Sequence, residues 1–280
     1  MMKVKKLGVI AKGQDGAIYN GYLFRFTADG GCSVYETQDL SAPMAHFVLD
    51  KAQNLAPHSN SVAFGSARYR ETDEFPLLYS NIYNNYAKTE NPRKGVTCVY
   101  RLVREGKRFS TTLVQLLEVG FTEDPIWRSA KGDDVRPYGN FAIDSQKGQY
   151  YAFVMRDEDR VTRYFAFDLL DPRDGVPDPA LGVNRVVLGK KDIRATFDCP
   201  YQRFVQGACF RKGRIYSLEG FTEDPVNPPA VRIVDTQRQT QEAVHYFGDF
   251  GLTIEPELID FDGEICYYAD HDGNLYGLRF

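Results

Sequence analysis

The feature that most constrains this chain is a strand unit that recurs along it and comes up one strand short at its last occurrence. A short apolar strand, a polar turn with Gly and a return strand carrying an aromatic appear at Gly16–Phe24, Gly207–Tyr216 and Leu258–Tyr267. A longer-turned version spans Phe141–Tyr151, and another starts at Ser61–Phe64 and returns at Phe75–Tyr79. Third strands follow at Cys32–Tyr35, Thr97–Tyr100, Arg163–Phe167, Val231–Val234 and Leu275–Leu278. Fourth strands follow at Ala45–Leu49, Leu113–Leu117, Arg185–Leu188 and Ala243–Phe247, but the last unit reaches Phe280 without one. Val4–Ile10 is the donor of the missing strand, and that pairing removes edges that would invite aggregation. The pattern predicts an all-β, five-bladed β-propeller over residues 1–280, a single domain whose N-terminal strand closes the last blade.

Composition supports this reading. The 280 residues are 43% apolar and 26% charged, with 19 Phe and 18 Tyr against 4 Met and 1 Trp, and aromatic residues suit pleated, half-buried surfaces. No long stretch has helical periodicity. The net charge of -4 offers no field for a phosphate backbone, so nucleic acid is not an expected partner. No run approaches the roughly 18 apolar residues of a membrane helix, and the apolar start stops at Lys12 and Gly13, short of a signal-peptide core. No membrane partner is expected, and the expected location is the cytoplasm. Cys32, Cys98, Cys199, Cys209 and Cys266 stand singly, as small buried residues would, with no disulfide framework.

Two segments carry a resemblance. Gln14–Tyr19 with Tyr22-Leu23-Phe24, then His58–Gly65 and Phe75–Ser80, resemble uncharacterised five-bladed propeller proteins of gut bacteria, a likeness that covers mainly the first two blades and implies the fold but no activity. Asp15, with Tyr22-Leu23-Phe24 and Val34–Leu40, is similar in layout to the start of five-bladed glycoside hydrolases. The chain departs from them at Gly16, where those enzymes usually carry Pro, and none of its acids is matched to their middle one.

In a propeller, the residues entering each innermost strand gather around one mouth of the central channel, where a ligand site is expected. Those entries are Gln14 and Asp15; His58, Ser59 and Asn60; Arg136, Tyr138 and Asn140; Arg203 and Gln206; Glu255 and Glu257. The leading expectation is a small polar or anionic ligand, carbohydrates included. Gln14, Asn60, Arg136, Tyr138, Asn140, Arg203 and Gln206 would contact it, the two arginines suiting a carboxylate or phosphate. An alternative is a glycoside-hydrolase-like or lyase-like enzyme at the same mouth, with Asp15, His58 and Glu257 transferring protons. A third is a protein-interaction scaffold. Whether the chain is an enzyme stays open.

His271, in Asp270–Asn274, is expected in a hairpin turn. The acidic runs Asp157–Asp159, Asp171–Asp178 and Asp133-Asp134 lack the spacing and glycine of a calcium loop, so neither a metal nor a cofactor is expected. No GxSxG, P-loop, dinucleotide fingerprint or HExxH occurs. The hexapeptide Gly-Phe-Thr-Glu-Asp-Pro occurs at residues 120–125 and 220–225. Both copies are expected to be surface turns, since Asp-Pro favours turn initiation.

Overall fold

The structure is a computed structural model that describes residues 2–82, 93, 95–119, 139–156, 161–201 and 204–280. Arg136, Tyr138, Arg203 and the first copy of the hexapeptide lie outside the described residues.

The strands form five small sheets arranged as a five-bladed propeller. The N-terminal strand β1 (Lys3–Val9) stands apart from the first sheet. Blade 1 is β2 (Gly16–Tyr19), β3 (Tyr22–Phe26), β4 (Gly31–Glu36) and β5 (Ala45–Val48), in that order from the channel outward. Blade 2 starts with β6 (Val62–Phe64), β7 (Leu78–Asn81), β8 (Thr97–Glu105) and β9 (Arg108–Val119). Blade 3 starts with β10 (Phe141–Asp144), β11 (Gln149–Arg156) and β12 (Val161–Asp168).

The run Arg185–Leu188 is not the fourth strand of blade 3. It belongs to a hairpin, β13 (Val176–Asp178) and β14 (Val183–Leu188), whose second strand pairs in parallel with β9 and extends blade 2 to six strands. The fourth strand of blade 3 is β15 (Ile193–Pro200), antiparallel to β12. Its burial alternates residue by residue, as an outer strand with one wet face requires. The apolar run of β14 finds its cover on blade 2, where Leu188 joins Leu117 and Val119 in one core.

Blade 4 is β16 (Val205–Arg211), β17 (Arg214–Glu219), β18 (Ala230–Asp235) and β19 (Thr240–Tyr246). Blade 5 is β20 (Pro256–Asp262), β21 (Ile265–Asp270) and β22 (Asn274–Arg279), completed by β1, which pairs antiparallel with β22 from Lys3 opposite Arg279 to Val9 opposite Asn274. The expected closure is the observed one.

The inner strands read as continuous apolar runs because each strand buries both faces, one against each neighbouring blade. Leu78 and Tyr100 point into the core shared with blade 1, while Tyr79 and Val99, one residue away, point into the core shared with blade 3. Similar cores join blades 3 and 4 and blades 4 and 5. A fifth, built on Leu23 and Tyr35 from blade 1 and Leu258, Tyr267 and Leu275 from blade 5, closes the ring. Full burial of each large apolar side chain contributes about 1.5–3 kcal/mol. All five cysteines are buried and unpaired. Among the described residues no helix is long and apolar enough to cross a membrane.

Candidate functional site

The inner strands β2, β6, β10, β16 and β20 start at one mouth of the channel. Three of their entries are bent by a left-handed residue: Ser59 (φ 55°) before Asn60, Gly139 (φ 92°) before Asn140, and Phe204 (φ 63°) before Val205. Non-glycine residues pay for that conformation, and it persists where surrounding structure fixes it. Asn60 and Asn140 follow the bend as buried polar residues, while Val205 packs into the core between blades 3 and 4.

At this mouth, polar side chains cross every interface between blades. Asp15 Oδ2 accepts the Val62 N–H of blade 2 at 2.9 Å. Asn140 Nδ2 donates to Ser61 Oγ of blade 2 at 3.3 Å and to the Val205 carbonyl of blade 4 at 3.4 Å. Gln206 Nε2 donates to Glu255 Oε1, joining blades 4 and 5. Gln14 Nε2 donates to Glu257 Oε1 at 3.3 Å, joining blades 1 and 5. Asn60 Oδ1 is held by Asn81 Nδ2 within blade 2. Five of the expected ligand contacts and carboxylates, Gln14, Asp15, Asn140, Gln206 and Glu257, are thus part of one interblade belt.

The belt leaves atoms over. Asp15 Oδ1, Asn140 Oδ1 and Glu257 Oε2 are buried and have no hydrogen-bond partner among the described residues, although their residues are at most 1% exposed. Burying such atoms without a partner is unfavourable by a few kcal/mol on apolar-transfer scales. They come from blades 1, 3 and 5, so the unmet hydrogen bonding is spread around the mouth.

The charges are unevenly compensated. Arg25, on β3, is 1% exposed and shares its strand face with Leu23, so it points towards blade 5. Its guanidinium donates to the Gly13 carbonyl at 2.7 Å, to the Asp270 carbonyl at 2.9 Å and to the Gln14 carbonyl. Burial lowers its basicity, while the nearby charges of Glu257, Asp15 and Asp270 raise it. Among the described residues Asp15 has no ion pair, and burial pushes its carboxyl well above the usual range despite N–H donation from Val62 and Gly16. Glu255 is raised to about 7, first by burial and then by the charge of Glu257. Glu257 is also raised by burial, against the opposing hydrogen bond from His271 and the charge of Arg25.

The histidine set against a carboxylate is His271, whose Nδ1 lies 3.1 Å from Glu257 Oε1 in the turn between β21 and β22. Glu257 raises its pKa. The turn was expected; the contact with Glu257, 14 residues away, was not legible in the sequence. His58 lies at the entry to β6, where burial lowers its pKa. Arg25 was also missed. Its only sequence signal is a charge inside the aromatic strand Tyr22-Leu23-Phe24-Arg25-Phe26.

The second hexapeptide copy is a turn, as expected, and it also braces the mouth. The Gly220 carbonyl accepts from Gln206 Nε2 at 3.3 Å, and Thr222 Oγ1 accepts the Glu255 N–H at 2.9 Å. Phe221 packs against Phe204 with ring centroids 5.4 Å apart, and both rings are more than 40% exposed. The mouth therefore has an aromatic ledge beside its polar belt.

At the opposite end of the channel lies a cavity of about 300 Å³ lined by Ile18, Phe64, Asp144, Arg211 and Asp260 among others. Asp260 accepts the N–H groups of Ile18 at 2.6 Å and Phe261 at 2.8 Å, and burial raises it to about 7.

No protein-family model matches the chain, and no curated protein matches it. Among solved structures, the chain is similar to the glutaminyl cyclase of Myxococcus xanthus over 99% of its own length and 94% of that protein's, with a TM-score of 0.49 and 10% identity. The propeller architecture stands on the strand pairing described above, and the chemistry of the mouth on its own residues.

Proposed function

We propose that the channel mouth binds a small polar molecule rich in hydroxyl groups, with carbohydrates as the first class to consider. The observation that carries this reading is the pair of buried, unpartnered atoms Asp15 Oδ1 and Asn140 Oδ1, contributed by different blades. A hydroxyl both donates and accepts, so it satisfies an amide oxygen and a carboxyl oxygen whether or not the carboxyl holds a proton. The exposed Phe204–Phe221 ledge suits the apolar face of a sugar ring. The described part of the mouth contributes carboxyls and amides; the arginines on which an anionic ligand would depend, Arg136 and Arg203, fall outside the described residues.

A second reading, proton transfer on the bound molecule, is favoured by Asp15. Burial pushes its carboxyl well above the usual range, the direction that a general acid requires.

The test is a thermal-shift series with neutral sugars, amino sugars, sugar acids and inorganic phosphate, on the parent chain and on Phe204→Ala and Asn140→Ala, because a ligand of the native state raises its stability by mass action. Stabilisation by neutral sugars that weakens at least tenfold in apparent affinity in both variants supports the reading. Stabilisation by sugar acids and phosphate alone would overturn it in favour of an arginine-based anion site. Turnover of a stabilising sugar, lost in Asp15→Asn, would establish the second reading.

A further inference from the structure

We infer that Glu255, Glu257 and His271 form a binding site for a divalent first-row metal ion at the edge of the channel mouth. All three belong to blade 5: Glu255 precedes β20, Glu257 lies on it, and His271 sits in the β21–β22 turn. One ligand atom from each lies within 4.8 Å of the others. Carboxylate and imidazole donors bind such ions at about 2.0–2.2 Å, which places donor atoms roughly 3–4.4 Å apart. The 4.8 Å bound on the present separations lies just above that range.

Three further observations separate this group from an ordinary surface ion pair. Glu257 is 1% exposed, and its Oε2 is buried without a hydrogen-bond partner among the described residues, although Oε1 of the same carboxyl receives two. The cation nearest to it in the core, Arg25, directs its three guanidinium hydrogen bonds to backbone carbonyls. Both carboxylates are also oriented from outside, Glu255 by Gln206 and Glu257 by Gln14. Outer partners of this kind fix the direction of metal-binding side chains. A divalent ion would give the unpartnered second oxygen of Glu257 a partner.

The donor set, two carboxylates and one imidazole, suits Zn²⁺ or Mn²⁺ rather than the all-oxygen surroundings that Ca²⁺ and Mg²⁺ prefer. Three protein ligands leave coordination positions free for water or a ligand hydroxyl, and half-exposed His271 leaves the site an entry path. The inference goes beyond the sugar reading and does not depend on it, since the latter is carried by Asp15 and Asn140.

The probe is the metal alone: ZnCl₂ and MnCl₂ titrated calorimetrically into the full chain, with Glu255→Gln, Glu257→Gln and His271→Ala compared at matched folding by circular dichroism. One equivalent of saturable binding is expected, weakened at least tenfold in each variant, while His46→Ala, on a different blade, binds as the parent does. Because His271 is in an exposed turn, His271→Ala keeps the test available if a glutamate variant fails to fold. Absence of saturable binding, or binding that His271→Ala leaves unchanged, overturns the inference. Sugar stabilisation persisting in His271→Ala would show the two sites failing or holding separately.

Discussion

At the scale of single residues, the mouth is governed by what burial does to charge. Asp260, at the far end of the channel, shows the consequence for stability. Its carboxyl moves from an ordinary 3.8 to about 7 on folding because burial disfavours the ionised form. The folded state therefore holds a proton that the unfolded state releases from about pH 4 upward. By linkage, this group's contribution is greatest in acid and is lost as pH rises from about 4 to 7, with a ceiling of about 4 kcal/mol. Urea unfolding at pH 5 and pH 8 should show a loss of stability on going to pH 8, and Asp260→Asn should reduce that loss; an equal loss in both proteins would contradict the argument. The sequence displayed the carboxylates but not their compensation. Arg25 was invisible because a lone charge in a strand usually faces water, whereas here both strand faces are covered. Glu257 and His271 were visible separately, and only the turn of a hairpin sets them 3.1 Å apart.

At the scale of elements, the inner strands approach one another closely enough for one methyl group to matter. Gly207 lies where β16 meets β20, and a Cβ there would come within 2.6 Å of the Glu257 carbonyl and 3.3 Å of the Asp15 carboxyl. A backbone carbonyl cannot step aside as a side-chain tip can. Gly207→Ala should therefore cost about 1–3 kcal/mol, read from the denaturation midpoint, the range typical of overpacking. The same substitution at Gly213, where nothing lies within 4 Å but φ is +77°, loses stability only through backbone strain and is the comparison to make. Elements were legible where strand and turn alternate, and misread where an apolar run found its cover elsewhere. Val183–Leu188 has the composition of an outer strand of its own blade and instead pairs with β9 of the previous one. Local sequence encodes strand character, but the partner is chosen by which edge is open and within reach.

At the scale of the whole molecule, the ring was legible because counting strands exposes the missing one, and β1 fills it along its length. Removing residues 2–9 should leave β22 with an open edge and produce self-association in size-exclusion chromatography together with a lower melting temperature. Adding a synthetic peptide of those residues should restore the elution volume of the parent chain by strand addition. Recovery without the peptide would mean that β22 is protected in another way. The closure also sets an order of events during synthesis. β1 waits for its partner, because Asn274–Arg279 is synthesised more than 260 residues after Lys3–Val9. At about 5–20 residues per second, that separation is a wait of roughly 15–50 s, during which β1 is a free β-edge within reach of any other chain being translated nearby.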